Sequence, residues 1–172
     1  MHRRFFTVLS LIGLLLILSS CQEFRPGASA LVILNGQSIH ISKWEEAEIT
    51  PAGSLYNISV KARSNDNRWV FGGLGTIKTG AEIPYTFDVH AKESIWALSL
   101  IYYPNPKSEI NRITYNIGDN TTGSITINQV NYGKGGNLQG SLSCNAVYKT
   151  DYTSGETTKN HTLNAKFQFE LK

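Results

Sequence analysis

Cys144 and three histidines are the residues from which covalent or metal chemistry would have to be built. A thiol nucleophile needs exposure and a positive neighbour. Cys144 instead falls in step with Leu142 and Ala146 in an alternating stretch, so its spacing predicts a buried, structural cysteine. His40, His90 and His161 are far apart in sequence, and none stands in a metal-ligand spacing such as H-x-x-x-H, so no metal and no cofactor is expected. Glu45 and Glu46 are adjacent, while Asp88, Glu93 and Asp119 are scattered. A glycosidase needs two carboxylates about 5–10 Å apart across a cleft, and nothing in this spacing arranges that. Gly133-Lys134-Gly135-Gly136 has the glycines and lysine of a phosphate loop but neither the Walker spacing nor a following helix, and it reads as a hairpin loop. The expectation is a protein with no catalytic residues.

Aromatic side chains are the other candidates, because an exposed ring can stack on a sugar or grip a partner. Of Trp44, Trp69, Trp96, Tyr102, Tyr103 and Tyr132, Trp96 and Tyr102 are in step with core leucines. Trp44 and Tyr132 fall between the regular stretches and are the ligand-binding candidates. Asn-x-Ser/Thr triplets at Asn57, Asn120 and Asn160 match glycosylation acceptors, a chance match in a chain rich in Asn and Thr.

The first twenty-one residues decide where such a site would be displayed. Arg3 and Arg4 make a positive head, and residues 5–18 are apolar except for Thr7, Ser10 and Gly13. The run is shorter than the roughly 20 residues of a membrane span and ends in Leu18-Ser19-Ser20-Cys21, the organisation of a cleaved secretory signal. That ending resembles the lipobox of bacterial lipoproteins. The resemblance implies that residues 1–20 are a signal peptide and that Cys21 receives a diacylglyceryl thioether, which only a thiol can form, and becomes the new N-terminus. Two or more acyl chains anchor stably where one does not. Gln22, where inner-membrane retention would have Asp, implies the outer membrane, with its face left open. Residues 21–29 then form a tether, broken by Pro26-Gly27, and 30–172 form one domain. The eight residues after Cys21 reach at most about 29 Å.

Composition narrows the partners. Sixteen basic residues stand against thirteen acidic, and Arg3 and Arg4 leave with the signal, so the mature chain is nearly neutral. It has no Lys/Arg cluster that would serve as a nucleic-acid footprint. With Cys21 lipidated, Cys144 has no partner in its own chain.

The domain reads as strands. Asn35-Gly36, between residues 31–34 and 37–42, predicts a hairpin with a type I′ turn. Residues 43–49 (KWEEAEI) are the one stretch that suggests a short helix or a crossing loop. Tyr56, Ile58, Val60 and Ala62 alternate with polar residues. Residues 68–74 carry Trp69 and Phe71, and Gly72, Gly73 and Gly75 suggest a bulge. Pro84 makes 83–89 an edge strand or one that starts after the proline. Residues 94–103 are apolar on both faces, as in a central strand. Residues 110–117 and 123–130 follow, the latter with Ile125 and Ile127. Leu138, Leu142, Cys144, Ala146 and Tyr148 share a face, and Leu163, Ala165, Phe167, Phe169 and Leu171 alternate without a break. The expectation is an all-β, antiparallel sandwich of nine or ten strands, with a lipocalin-like closed barrel as the alternative.

The layout resembles a group of small β-sandwich lipoproteins common in Bacteroidetes-type bacteria, on Asn35-Gly36, Gly123-Ser124-Ile125-Thr126-Ile127, Gly140-Ser141-Leu142-Ser143-Cys144 and the alternation over 161–171. Leu142 and Cys144 stand where that group has a phenylalanine-rich strand. The resemblance implies a fold and a place in the envelope, without catalytic residues. The function expected is a non-enzymatic, membrane-anchored binding or assembly module for a protein or glycan. The alternatives are a carrier of a small apolar ligand and a hydrolase with an unrecognised site.

Overall fold

The structure is a computed structural model, which describes residues 29–91, 97–132 and 135–171. The signal segment, Cys21, nearly all of the tether, Glu93, Trp96 and Lys134 lie outside them. Among the described residues there are eleven strands: β1 (Ser29–Leu34), β2 (Gln37–Ile41), β3 (Lys43–Ala52), β4 (Leu55–Arg63), β5 (Trp69–Lys78), β6 (Tyr85–Asp88), β7 (Ala97–Tyr102), β8 (Ile113–Asn116), β9 (Thr122–Val130), β10 (Asn137–Asp151) and β11 (Thr157–Glu170). Every pairing is antiparallel, and among the described residues there is no helix, hence none that could cross a membrane.

The ladder runs β2-β1-β11-β10-β8-β7-β5-β4-β3, with β9 and then β6 branching from β10. The fork arises because β10 is long. Its first part pairs β9 from Leu138 to Asn145, and its last part pairs β8 from Tyr148 to Asp151. One layer is therefore β2-β1-β11-β10-β9-β6, and the other is β8-β7-β5-β4-β3. They curl face to face, with Phe71 of β5 set against Phe167 and Phe169 of β11 at ring-centre distances of 6.1 and 6.5 Å. The ladder ends at β2 and β3 and is open, and these rings fill the space between the layers, as in a sandwich rather than a hollow barrel.

Local chemistry explains most elements. Asn35 and Gly36 have φ of 49° and 83°, the positive pair that a type I′ turn needs. β11 buries Leu163, Ala165, Phe167 and Phe169, with Leu171 just beyond it, as the alternation predicts. β6 begins after Pro84 and, among the described residues, pairs only β9. β7 lies between β5 and β8, a central strand.

Three expectations are corrected. Residues 43–49 are strand, the start of β3, not a helix. Two helical turns would carry the whole nucleation cost, whereas the strand buries Ala47 opposite Val60 and sets Ile49 opposite Ile58. Pro51 is tolerated because β3 is an edge. The glycines of β5 make no bulge: its register with β4 is continuous, and Gly73 instead makes room for Leu98, which would stand 2.3 Å from an added Cβ. In β10 the register shifts after Cys144, with Ala146 at φ 55°. The shift puts Val147, fully buried, on the core face in place of Ala146 and Tyr148.

Candidate functional site

Most of the residues singled out for chemistry are used structurally; His40 is exposed on β2, opposite Leu31 and apart from the other two histidines. Cys144 is 1% exposed, and burial, helped by the charge of Asp88, pushes its thiol pKa up to about 11. A thiol held protonated in this way is a poor nucleophile. His90 donates from Nε2 to the Thr121 carbonyl at 2.8 Å, and His161 lies among Asn35, Thr158 and Tyr115. Among the described residues no three of His, Cys, Asp and Glu gather as a metal site would need. Glu45 pairs with Lys61 at 3.1 Å and with Arg63. Burial raises its pKa, but hydrogen bonds from the two cations outweigh that and hold it low. Glu46 accepts from Ser59.

The two aromatic candidates are not brought together. Trp44 is registered opposite Ala62 in β3, while its side chain lies outside what the structure describes. Tyr132 stacks on Tyr56, ring centres 4.1 Å apart, and β4 places Tyr56 six residues, about 20 Å, from Ala62. Tyr132 remains exposed, but one ring face is covered by Tyr56, which itself packs on the core. Toward the other end of the sheet Trp69 packs tilted against Tyr102, ring centres 4.6 Å apart.

The group of residues that the sequence reading missed lies on the outer face of the β11–β10–β9 layer. Register places Leu31, Lys166, Ser141, Thr126 and Thr86 in one row across five strands, and Ile33, Asn164, Ser143, Ser124 and Asp88 in the next. Much of this face is already paired off: Thr86 to Thr126 at 2.9 Å, and Ser143 to Asn164 at 2.7 Å. Beside these pairs is a cleft of about 220 Å³ lined by Asn128, Gln139, Gly140, Ser141, Lys166, Phe167 and Gln168.

A β-bulge shapes the cleft. Gln139 is opposite Gln129 and Gly140 is opposite Ile127, which leaves Asn128 with no partner in β10. Bulges re-aim side chains and are common beside binding sites. Gly140 is required there, since a Cβ would stand 2.5 Å from the Phe167 ring and 2.6 Å from the Thr126 carbonyl oxygen. Among the described residues, Asn128, Gln139, Ser141, Lys166 and Gln168 have no side-chain hydrogen bond or ion pair. Three amides, a hydroxyl and an ammonium thus converge with their donors and acceptors free.

Sequence carried one trace of this site. The apolar step is two from Ile125 to Ile127 but three from Ile127 to Val130, and that change marks the bulge. The chain matches no protein-family model, no curated protein and no solved structure.

Proposed function

We propose that this protein is a lipid-anchored, non-enzymatic module of the bacterial envelope, held at the outer membrane through Cys21, whose cleft binds a glycan. The observation that carries the binding reading is the set of five unpartnered polar side chains in one concave place. Side-chain amides offer a donor and an acceptor together and so match adjacent hydroxyls of a sugar. The volume is below the roughly 300–1,000 Å³ of a pocket that encloses a drug-sized molecule, so the cleft takes one unit of a longer chain rather than engulfing a ligand. The interior filled by Phe71, Phe167 and Phe169 speaks against a carrier of apolar molecules. The buried thiol of Cys144 speaks against a cysteine hydrolase.

The test is calorimetry of the detergent-solubilised, full-length protein against a panel of neutral and acidic oligosaccharides. A triple Asn128→Ala, Gln139→Ala, Gln168→Ala variant serves as the control. At ~0.5–1.5 kcal/mol per hydrogen bond, losing three should weaken binding at least tenfold without unfolding the domain. If no oligosaccharide binds, or the variant binds as the wild type does, the glycan reading is wrong.

A further inference from the structure

We infer that the sugar bound in this cleft is acidic, with its carboxylate on Lys166. The inference rests on the glycan reading above and goes further by fixing the charge of the ligand. Lys166 stands in the middle of β11, opposite Leu31 on one side and Ser141 on the other. Neither neighbour can neutralise it. Along the same side of its strand come Asn164, tied to Ser143, and Gln168, which is neutral. Glu170, the next acid along that side, is not part of the cleft lining. No carboxylate pairs with Lys166 among the described residues, although the fold does pair Lys61 and Arg63 with Glu45 on the other layer.

A single ammonium among three amides and a hydroxyl is complementary to one negative charge set in a field of hydroxyls. A uronic acid has that composition: one carboxylate per ring, with the remaining ring positions carrying hydroxyl groups for Asn128, Gln139, Ser141 and Gln168. A phosphate group, with up to two charges and three acceptor oxygens, is better met by several cations or an Arg fork, and the cleft has neither.

The experiment compares short oligouronates (tetramers of galacturonate and of mannuronate) with their carboxyl-reduced, neutral counterparts. Each is titrated into full-length wild type, Lys166→Gln and Lys166→Arg in detergent. Glycerol 1-phosphate, the soluble headgroup fragment of an anionic lipid, forms a separate arm. Lys166 is solvent-facing, so both variants should melt like the wild type. The expected result is at least tenfold tighter binding of an oligouronate than of its reduced form. Lys166→Gln should remove that difference, Lys166→Arg should keep most of it, and added salt should shrink it. Equal binding of acidic and reduced sugars overturns the inference and leaves the glycan reading standing. Binding of neither overturns both. Binding of glycerol 1-phosphate that is lost in Lys166→Gln, with no sugar bound, would make the cleft a lipid-headgroup site and also overturn both.

Discussion

Asn35 donates from Nδ2 to His161 Nδ1 at 2.9 Å, and this one contact fixes the protonation state of the histidine. The Thr162 amide donates to Asn35 Oδ1 at 2.9 Å, which orients the Asn35 amide. Nδ1 must therefore accept, and the proton sits on Nε2, facing Thr158 Oγ1 at 2.9 Å. The Asn35 backbone N–H also reaches the Thr162 carbonyl at 3.0 Å. The turn residue that closes the β1–β2 hairpin thus also locks the hairpin to β11.

Acid should open this lock. Burial, and after it the charge of Lys149, lowers the His161 pKa below its usual 6.5. A histidine with a depressed folded pKa favours the fold while neutral. That contribution is present above the unfolded value and is lost as pH falls from there through the folded pKa. Thermal melts of wild type and His161→Gln between about pH 7.5 and about pH 4.5 should converge on the acid side, because only the wild type loses a neutral imidazole. Parallel melting curves at every pH would show that the contact does not couple to folding.

The β11 core positions should dominate stability. Phe167 and Phe169 are buried between the layers and touch Phe71, so truncation to Ala should cost about 3–5 kcal/mol. Against a total of about 5–15 kcal/mol, denaturant midpoints should fall sharply. Gln168→Ala, between them on the outer face, should move the midpoint little. A mild effect of Phe169→Ala would mean the layers do not close on β11.

These positions were legible because period-two alternation over 163–171 has one physical reading. Asn35-Gly36 was legible for a similar reason, since few residue pairs tolerate two positive φ angles. Residues 43–49 were not, because helix and strand are both compatible with so short a stretch and only the pairing of Ala47 and Ile49 with β4 decides. The bulges at Asn128 and Ala146 were written as three-residue apolar steps, Ile127 to Val130 and Cys144 to Val147, but a reading that counts in twos passes over them. The cleft itself was hidden. Asn128, Gln139 and Lys166 meet only through strand register, and each alone resembles an ordinary solvated residue.

Cys144 should be silent in the native protein. With its thiol pKa raised to about 11 by burial and next by Asp88, it should resist maleimide at neutral pH and react after denaturation. Cys144→Ala should leave glycan binding unchanged and cost on the order of 1 kcal/mol. Rapid labelling of folded protein would return the thiol to consideration as a nucleophile.

Cys21 should control location independently of the fold. Cys21→Ser should remove the acyl chains and leave a precursor that is stalled or released, with the domain still folded. Fractionation and mass spectrometry of the N-terminal peptide read both effects. Unchanged membrane partition in the Ser variant would contradict the lipobox assignment.

Asn128 allows binding and folding to be separated by a deletion. It is the residue of β9 without a partner, between Ile127 opposite Gly140 and Gln129 opposite Gln139, with Val130 opposite Leu138. Removing Asn128 leaves Ile125, Ile127 and Val130 spaced two apart, and the existing pairs with Gly140, Gln139 and Leu138 become one continuous ladder. A one-residue deletion inside a strand normally inverts every later side chain, and here it should restore the alternation instead. The deletion variant should melt within about 4 °C of the wild type, the shift of roughly 1 kcal/mol in a domain of this size, while sugar binding falls at least tenfold. Deleting Thr126, two residues earlier, should by contrast throw Ile125 and Ile127 out of phase and unfold the domain. If the two deletions behave alike, the bulge does not organise this part of the sheet, and the cleft does not depend on it.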